Sequence, residues 1–197
     1  MKKRVSILGS GISGIGAAIL AKDKGYDVFL SDNNTIDSKV KNKLDSISVS
    51  WEENKHTYND LKKSDLIIKS PGIPNESEIV VKLKKSNVKI ISEIEFASLY
   101  SNSFIIGITG SNGKTTTTEL LYHILKRSGL NVGIAGNIGT SFSKQIAENS
   151  FDYYVLEISS FQLDDIIDFK PNIAIITNLF EDHLDRYNYD FTKYIDS

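Results

Sequence analysis

The residues with the plainest chemical purpose are Thr109-Gly110-Ser111-Asn112-Gly113-Lys114-Thr115. An apolar run of Phe104, Ile105, Ile106 and Ile108 leads into them, and a helix-forming stretch from Thr116 to Arg127 follows. Strand, glycine loop, Lys-Thr and helix, in that order, describe a phosphate-binding loop. Glycines let backbone N–H groups turn inward and approach phosphate oxygens. The helix start adds unpaired donors and partial positive charge. Lys114 supplies a mobile cation, and the Thr115 hydroxyl can ligate Mg²⁺. The loop is shorter than the usual G-x-x-x-x-G-K-[ST], because Ile108 stands where the first glycine would be.

A second constellation lies near the start. Arg4–Leu8 reads as a strand, and Gly9-Ser10-Gly11-Ile12-Ser13-Gly14 opens a helix that runs to about Lys24 and is closed by Gly25. Val28–Leu30 reads as the next strand, with Asp32 just past its end. Strand, glycines, helix, strand and acid make the context of a dinucleotide-binding fingerprint. Ser70-Pro71-Gly72-Ile73-Pro74 follows Asp65–Lys69, which reads as another buried-type strand. It either lines the same ligand edge or is only a stiff turn, and both readings stand.

Two further positions could carry chemistry. Glu157 ends the apolar stretch Tyr153–Leu156, where an acid after a phosphate loop suits either a Mg²⁺ ligand or a salt bridge. His183 sits in Glu181-Asp182-His183-Leu184-Asp185-Arg186-Tyr187, beyond the strand Ile173–Thr177, among acids that could tune its charge. His56 and His123 have no such setting and read as surface or helix-packing residues.

The elements that must position these groups alternate. Helices are expected near Ser38–Leu44, Glu76–Ser86 and Glu93–Tyr100, and strands near Ile47–Trp51, Val88–Ile91 and Asn131–Ala135. Gly136-Asn137-Ile138-Gly139 is a second tight loop, a helix to about Glu148 follows it, and a last helix starts near Tyr189. The expected fold is therefore α/β: a Rossmann-like parallel-sheet domain over residues 1–93, then a truncated P-loop NTPase-like α/β domain over residues 94–197.

Composition sets the outer bounds. The 197 residues are 40% hydrophobic and 24% charged, ordinary for a globular protein, and the net charge of −2 argues against a general nucleic-acid binder. The lack of cysteine excludes a disulfide framework and thiolate metal sites. No apolar run approaches the roughly 20 residues that span a bilayer, so no membrane partner and a cytoplasmic location are expected.

T-G-S-N-G-K-T, G-N-I-G, E-I-S-S-F-Q-L and E-D-H-L-D-R-Y, in this order and spacing, resemble the Mur ligases over essentially the whole chain. The resemblance implies ATP and Mg²⁺ as cofactors, UDP-N-acetylmuramoyl-L-alanine and D-glutamate as substrates, and a monomer. It implies that Ile12, Ser13 and Gly14 contact a diphosphate, with Asp32 and Asn33 near the uridine and Gly72 facing the same ligand. Asn137, Ser159 and Gln162 would hold the muramoyl-alanine arm. Gly110, Ser111, Asn112, Gly113, Lys114, Thr115 and Thr116 would hold the ATP phosphates. Lys114 and His183 take the catalytic roles; Thr115 and Glu157 would bind one Mg²⁺ and His183 the other. A family lysine and a third, amino-acid-binding domain would fall beyond Ser197, so a truncated product is expected. Two other readings stay open: a non-catalytic nucleotide-sugar-binding fragment, and an NAD(P)-dependent oxidoreductase, which leaves the Gly-Lys-Thr loop unexplained.

Overall fold

A computed structural model describes residues 2–196. In chain order the first part comprises β1 (Arg4–Leu8), α1 (Ile12–Asp23), β2 (Asp27–Ser31), α2 (Ser38–Ser46), β3 (Ser50–Glu52), α3 (Tyr58–Leu61), β4 (Leu66–Lys69), α4 (Glu78–Lys84), β5 (Lys89–Ser92) and α5 (Glu93–Ser98). The second comprises β6 (Phe104–Thr109), α6 (Lys114–Arg127), β7 (Val132–Gly136), α7 (Phe142–Glu148), β8 (Tyr153–Glu157), α8 (Ser160–Leu163) and β9 (Ile173–Ile176). A 3₁₀ turn, Leu184–Tyr187, and α9 (Phe191–Asp196) follow.

The strands form two all-parallel sheets, ordered β3-β2-β1-β4-β5 and β7-β8-β6-β9. Parallel strands covered on both faces are mostly apolar, and Val5, Ile7 and Leu8 in β1, and Val155 and Leu156 in β8, are fully buried. In the first sheet the strand order reverses between β1 and β4, and such a reversal opens a crevice at the carboxyl ends of the two strands. The loops 9–11 and 70–74 leave the sheet there.

Register fixes the second sheet's working edge. Ile108 pairs with Glu157, Gly136 pairs with Glu157, and Thr109 pairs with Ile176. The phosphate loop, Glu157 and the 136–139 loop therefore leave from one row of the sheet.

The sheets are joined by a packed helical seam. Buried side chains from both, among them Val5, Ala17, Phe96, Phe142, Tyr154 and Leu156, form one continuous core. The approach of α7 to α1 is close: a Cβ on Gly16 would lie 1.9 Å from Ser141 Oγ. Short polar clasps complete the seam. Buried Lys69 pairs with Asp165 at 2.8 Å and donates to the Ile73 carbonyl at 2.7 Å. The Glu95 carboxylate accepts from the N–H groups of Ile167, Asp168 and Phe169. Glu93 is 2% exposed and accepts from the Ser143 N–H; burial pushes its pKa from 4.5 to about 7 against that bond.

The structure corrects several element boundaries. β3 is Ser50–Glu52, not Ile47–Trp51, because pairing of Leu30 with Trp51 selects the strand residues. Ile47 instead closes α2, its N–H bonding back to Lys43 and Leu44. Helix α6 begins at Lys114, not Thr116, with Gly113 in the left-handed region (φ +80°) turning the chain into it. The four-residue α3 has no counterpart in the sequence reading. Among the described residues no helix is long and apolar enough to cross a membrane.

Candidate functional site

The phosphate loop is held from behind. Ser111 N–H donates to the Asn178 carbonyl at 3.0 Å and Asn112 N–H to Asn178 Oδ1 at 2.9 Å. Thr177 Oγ1 and Asn178 Nδ2 both donate to the Asn112 carbonyl, at 2.7 and 2.8 Å. Gly110, at φ +130°, is required: a Cβ there would meet Thr177 Oγ1 at 2.3 Å. Lys114 Nζ folds back over the loop and donates to the carbonyls of Gly110 and Ser111, at 2.6 and 2.9 Å. Behind it the first turn of α6, with Thr115 and Thr116 exposed, carries N–H groups that have no acceptor within the helix.

Ser111 is buried, and its hydroxyl engages the Phe180 backbone and the Tyr194 hydroxyl, so its side chain anchors the loop.

Thr115 and Glu157 meet. Thr115 Oγ1 donates to Glu157 Oε2 at 2.7 Å, and Asn137 Nδ2 donates to Oε1 of the same carboxylate at 2.9 Å. Glu157 is 1% exposed. A hydroxyl and a buried carboxylate at a phosphate loop are hard oxygen donors of the kind Mg²⁺ takes alongside substrate phosphates. The residues therefore fit that ion. His183 is not brought to this pair. It stands at the start of the 3₁₀ turn with φ +50°, its ring 5.1 Å from that of Phe161 and Nε2 3.7 Å from Asp182. Among the described residues no three His, Asp or Glu side chains converge as a ready-made cation site.

A cavity of about 470 Å³ opens at the crevice of the first sheet. Its wall is built from both sheets: Ser10–Ser13, Asp32, Asn33, Gly72, then Asn137 and Gln162 from across the seam. Ile12, although apolar, is 66% exposed at the start of α1 because it faces this space. Asp32 accepts from Ser10 N–H and Oγ, both at 2.6 Å, and from Asn34 N–H at 2.8 Å. Partial burial raises its pKa, but these bonds and nearby His56 outweigh that and hold it below the usual carboxylate value. The site thus offers an ionised acceptor beside a helix start whose N–H groups are free for an anion.

Two residues expected at the substrate are not on this wall. Gly14 is buried behind the loop, where a Cβ would meet the Gly9 carbonyl oxygen at 1.9 Å; it permits the close helix–turn packing and is not on the cavity wall. Ser159 caps α8, its N–H donating to Gln162 Oε1 at 3.0 Å, and is also off that wall. Conversely, His56, which the sequence places among surface or helix-packing residues, is half-buried on the cavity wall and bonded to Ser31 Oγ at 2.7 Å. Asn178, just past β9, has no role in the sequence reading, yet it holds the phosphate loop through Asn112.

Asn137 belongs to the cavity wall and also to Glu157, which belongs with Thr115 to the phosphate loop. One hydrogen-bonded line thus runs from the crevice of the first sheet to the phosphate loop.

Comparison with known proteins agrees with this layout. Residues 4–79 match the MurD N-terminal domain and residues 108–197 the Mur ligase middle domain. The chain is 55% identical over 197 residues to UDP-N-acetylmuramoylalanine–D-glutamate ligase of Christiangramia forsetii, covering 100% of this chain and 44% of the relative. It is 52% identical over 195 residues to the ligase of the same name from Bacteroides fragilis, covering 99% and 44%. The chain thus spans less than half the length of these curated relatives. Among solved structures, UDP-N-acetylmuramate-alanine ligase MurC of Thermotoga maritima superposes with a TM-score of 0.61 at 22% identity, covering 100% of this chain and 46% of that one. That likeness supports the fold: a Rossmann-like sheet followed by a P-loop-like one. With a MurD-type first domain and a Mur-type middle domain on one chain, the protein belongs to the Mur ligase family.

Proposed function

We propose that this chain supplies the nucleotide-sugar site and the ATP site of a ligase that joins D-glutamate to UDP-N-acetylmuramoyl-L-alanine, in the cytoplasm and as a monomer. The division of labour falls near residue 93, between the two sheets. The observation that carries the reading is the line Asn137–Glu157–Thr115, which links the cavity to the phosphate loop.

The chemistry follows from the substrate. A carboxylate resists an amine because its leaving group would be oxide. Transfer of the γ-phosphoryl of ATP to the alanyl carboxylate makes an acyl phosphate. The D-glutamate amine then forms the C–N bond while the C–O bond breaks and phosphate leaves with its electron pair. Phosphoryl transfer asks chiefly for alignment and charge neutralisation.

The side chains have matching tasks. N–H groups of Gly113 to Thr116 would cradle the β- and γ-phosphates, with Lys114 swinging from its two carbonyls onto them. Thr115 and Glu157 would hold Mg²⁺, which when bound neutralises phosphate charge; His183, beyond β9, is proposed for a second ion. Asn137 and Gln162 would orient the arm that carries the carboxylate, and Ile12, Ser13, Asp32, Asn33 and Gly72 would hold the nucleotide.

Lys114→Ala in the full-length protein tests this. ADP release dependent on the UDP-sugar should fall about 10²–10³-fold, the usual loss for one preorganised charge contact. Near-normal turnover would refute the assignment.

A further inference from the structure

The first cavity adjoins a second of about 430 Å³, and both are walled by Asn33, His56, Gly72 and Ile73. The sequence reading gave His56 no role, yet the hydrogen-bond network dictates what its ring can do. Ser31 Oγ lies 2.8 Å from Glu52 Oε1, 3.4 Å from the Lys55 carbonyl and 2.7 Å from His56 Nδ1. A carboxylate and a carbonyl only accept, so the single hydroxyl proton is committed to one of them. Ser31 Oγ must then accept from the imidazole, and Nδ1 carries the ring proton. Glu52 is itself held by the Thr57 N–H and hydroxyl, at 2.7 and 2.5 Å, so the relay is anchored. Burial holds the pKa of His56 below 6.5, against the pull of Asp32 and Glu52, and the ring is neutral at pH 7. Nε2 is left with a lone pair, on a ring that walls both cavities.

A neutral acceptor at this place faces the wrong way for a phosphate, whose oxygens also accept. The diphosphate belongs at the start of α1, and Asp32 offers a carboxylate suited to ribose hydroxyls. What remains beyond them is the base.

We propose that His56 Nε2 accepts a hydrogen bond from the imide N–H of the nucleobase and so selects uracil over cytosine. The relay Glu52–Ser31–His56 fixes the tautomer that makes this possible. Uracil presents N3–H between two carbonyls, whereas cytosine presents a lone pair at N3 that would oppose the lone pair of Nε2. This assignment rests on the nucleotide-sugar reading of the cavity and adds the residue that reads the base.

Calorimetric titration of the 197-residue chain with UDP, CDP, N3-methyl-UDP and 2′-deoxy-UDP tests it. UDP should bind about ten- to hundredfold more tightly than CDP or N3-methyl-UDP, the penalty for leaving a site's acceptor unpaired. His56→Phe should weaken UDP to the N3-methyl level and erase the preference, while His56→Gln, which keeps an acceptor, should restore part of it. Ser31→Ala, which touches no ligand, should blunt the preference by releasing the tautomer. Equal binding of UDP and N3-methyl-UDP by the unaltered chain overturns the proposal without any variant and leaves the nucleotide-sugar reading intact. So does a penalty seen only with 2′-deoxy-UDP, which would place Nε2 on the ribose. No UDP binding at all defeats that reading and this proposal together.

Discussion

Replacing Glu93 by glutamine should change how this chain's stability depends on pH. The carboxyl is buried in the seam between the sheets, accepts from Ser143 N–H through one oxygen, and has no bonded partner at the other. Burial raises its pKa from 4.5 to about 7. In the unfolded chain it ionises near 4.5, so between that pH and about 7 unfolding releases a proton. Stability contributed by the neutral form is therefore full below pH 4.5 and is lost as pH rises to about 7. At about 1.4 kcal/mol per tenfold change, the loss approaches ~3 kcal/mol. Glu93→Gln has no ionisation to lose. Urea denaturation from pH 4 to 8 should show the unaltered chain losing roughly 3 kcal/mol relative to the variant. Parallel pH profiles for the two would refute the reasoning, because they would mean that Glu93 ionises in the folded chain as readily as in water.

Other outcomes follow from the same geometry. Lys69→Met leaves Asp165 buried without its cation and should destabilise by about 3–5 kcal/mol in denaturant titration, and the double change Lys69→Met with Asp165→Leu should recover much of it. Gly110→Ala places a Cβ 2.3 Å from Thr177 Oγ1 at φ +130°, so it should lower the melting temperature and abolish binding of a fluorescent ATP analogue. Glu157→Ala should weaken Mg²⁺-dependent ATP binding and, by releasing Asn137, also weaken binding of the UDP-sugar, measured by calorimetry. A change confined to ATP would break the proposed link between the two sites.

The sequence was most legible where a motif is tied to strand register. Gly9–Gly14 and Gly110–Thr115 each follow a largely apolar, buried strand, and the chain has few ways to place such a loop except at the carboxyl edge of a parallel sheet. Glu157 was readable for the same reason, since it ends the strand beside the phosphate loop. Edge strand β3 was not, because its limits are set by pairing with β2 and not by its own pattern. His56 was invisible because its meaning depends on Ser31, which is 25 residues away in sequence. Glu93 and Glu95 open an expected helix with nothing in the sequence to mark them as buried, and only the arrival of α7 and the 167–169 segment buries them. Ser111 and Ser159 have the residue type of ligand contacts, but nearer backbone groups claim them first.

The central claim is that a sugar-nucleotide cavity and a phosphate loop are coupled through Asn137, Glu157 and Thr115. The most direct measurement is a crystal structure of the chain grown with UDP, Mg²⁺ and a non-hydrolysable ATP analogue. It should place the UDP diphosphate against Ile12 and Ser13, the triphosphate on Gly110–Thr115, and Mg²⁺ on Thr115 and Glu157, with Asn137 between the two nucleotides. Nucleotides bound with Asn137 and Glu157 touching neither, or a triphosphate lying away from Lys114, would contradict it.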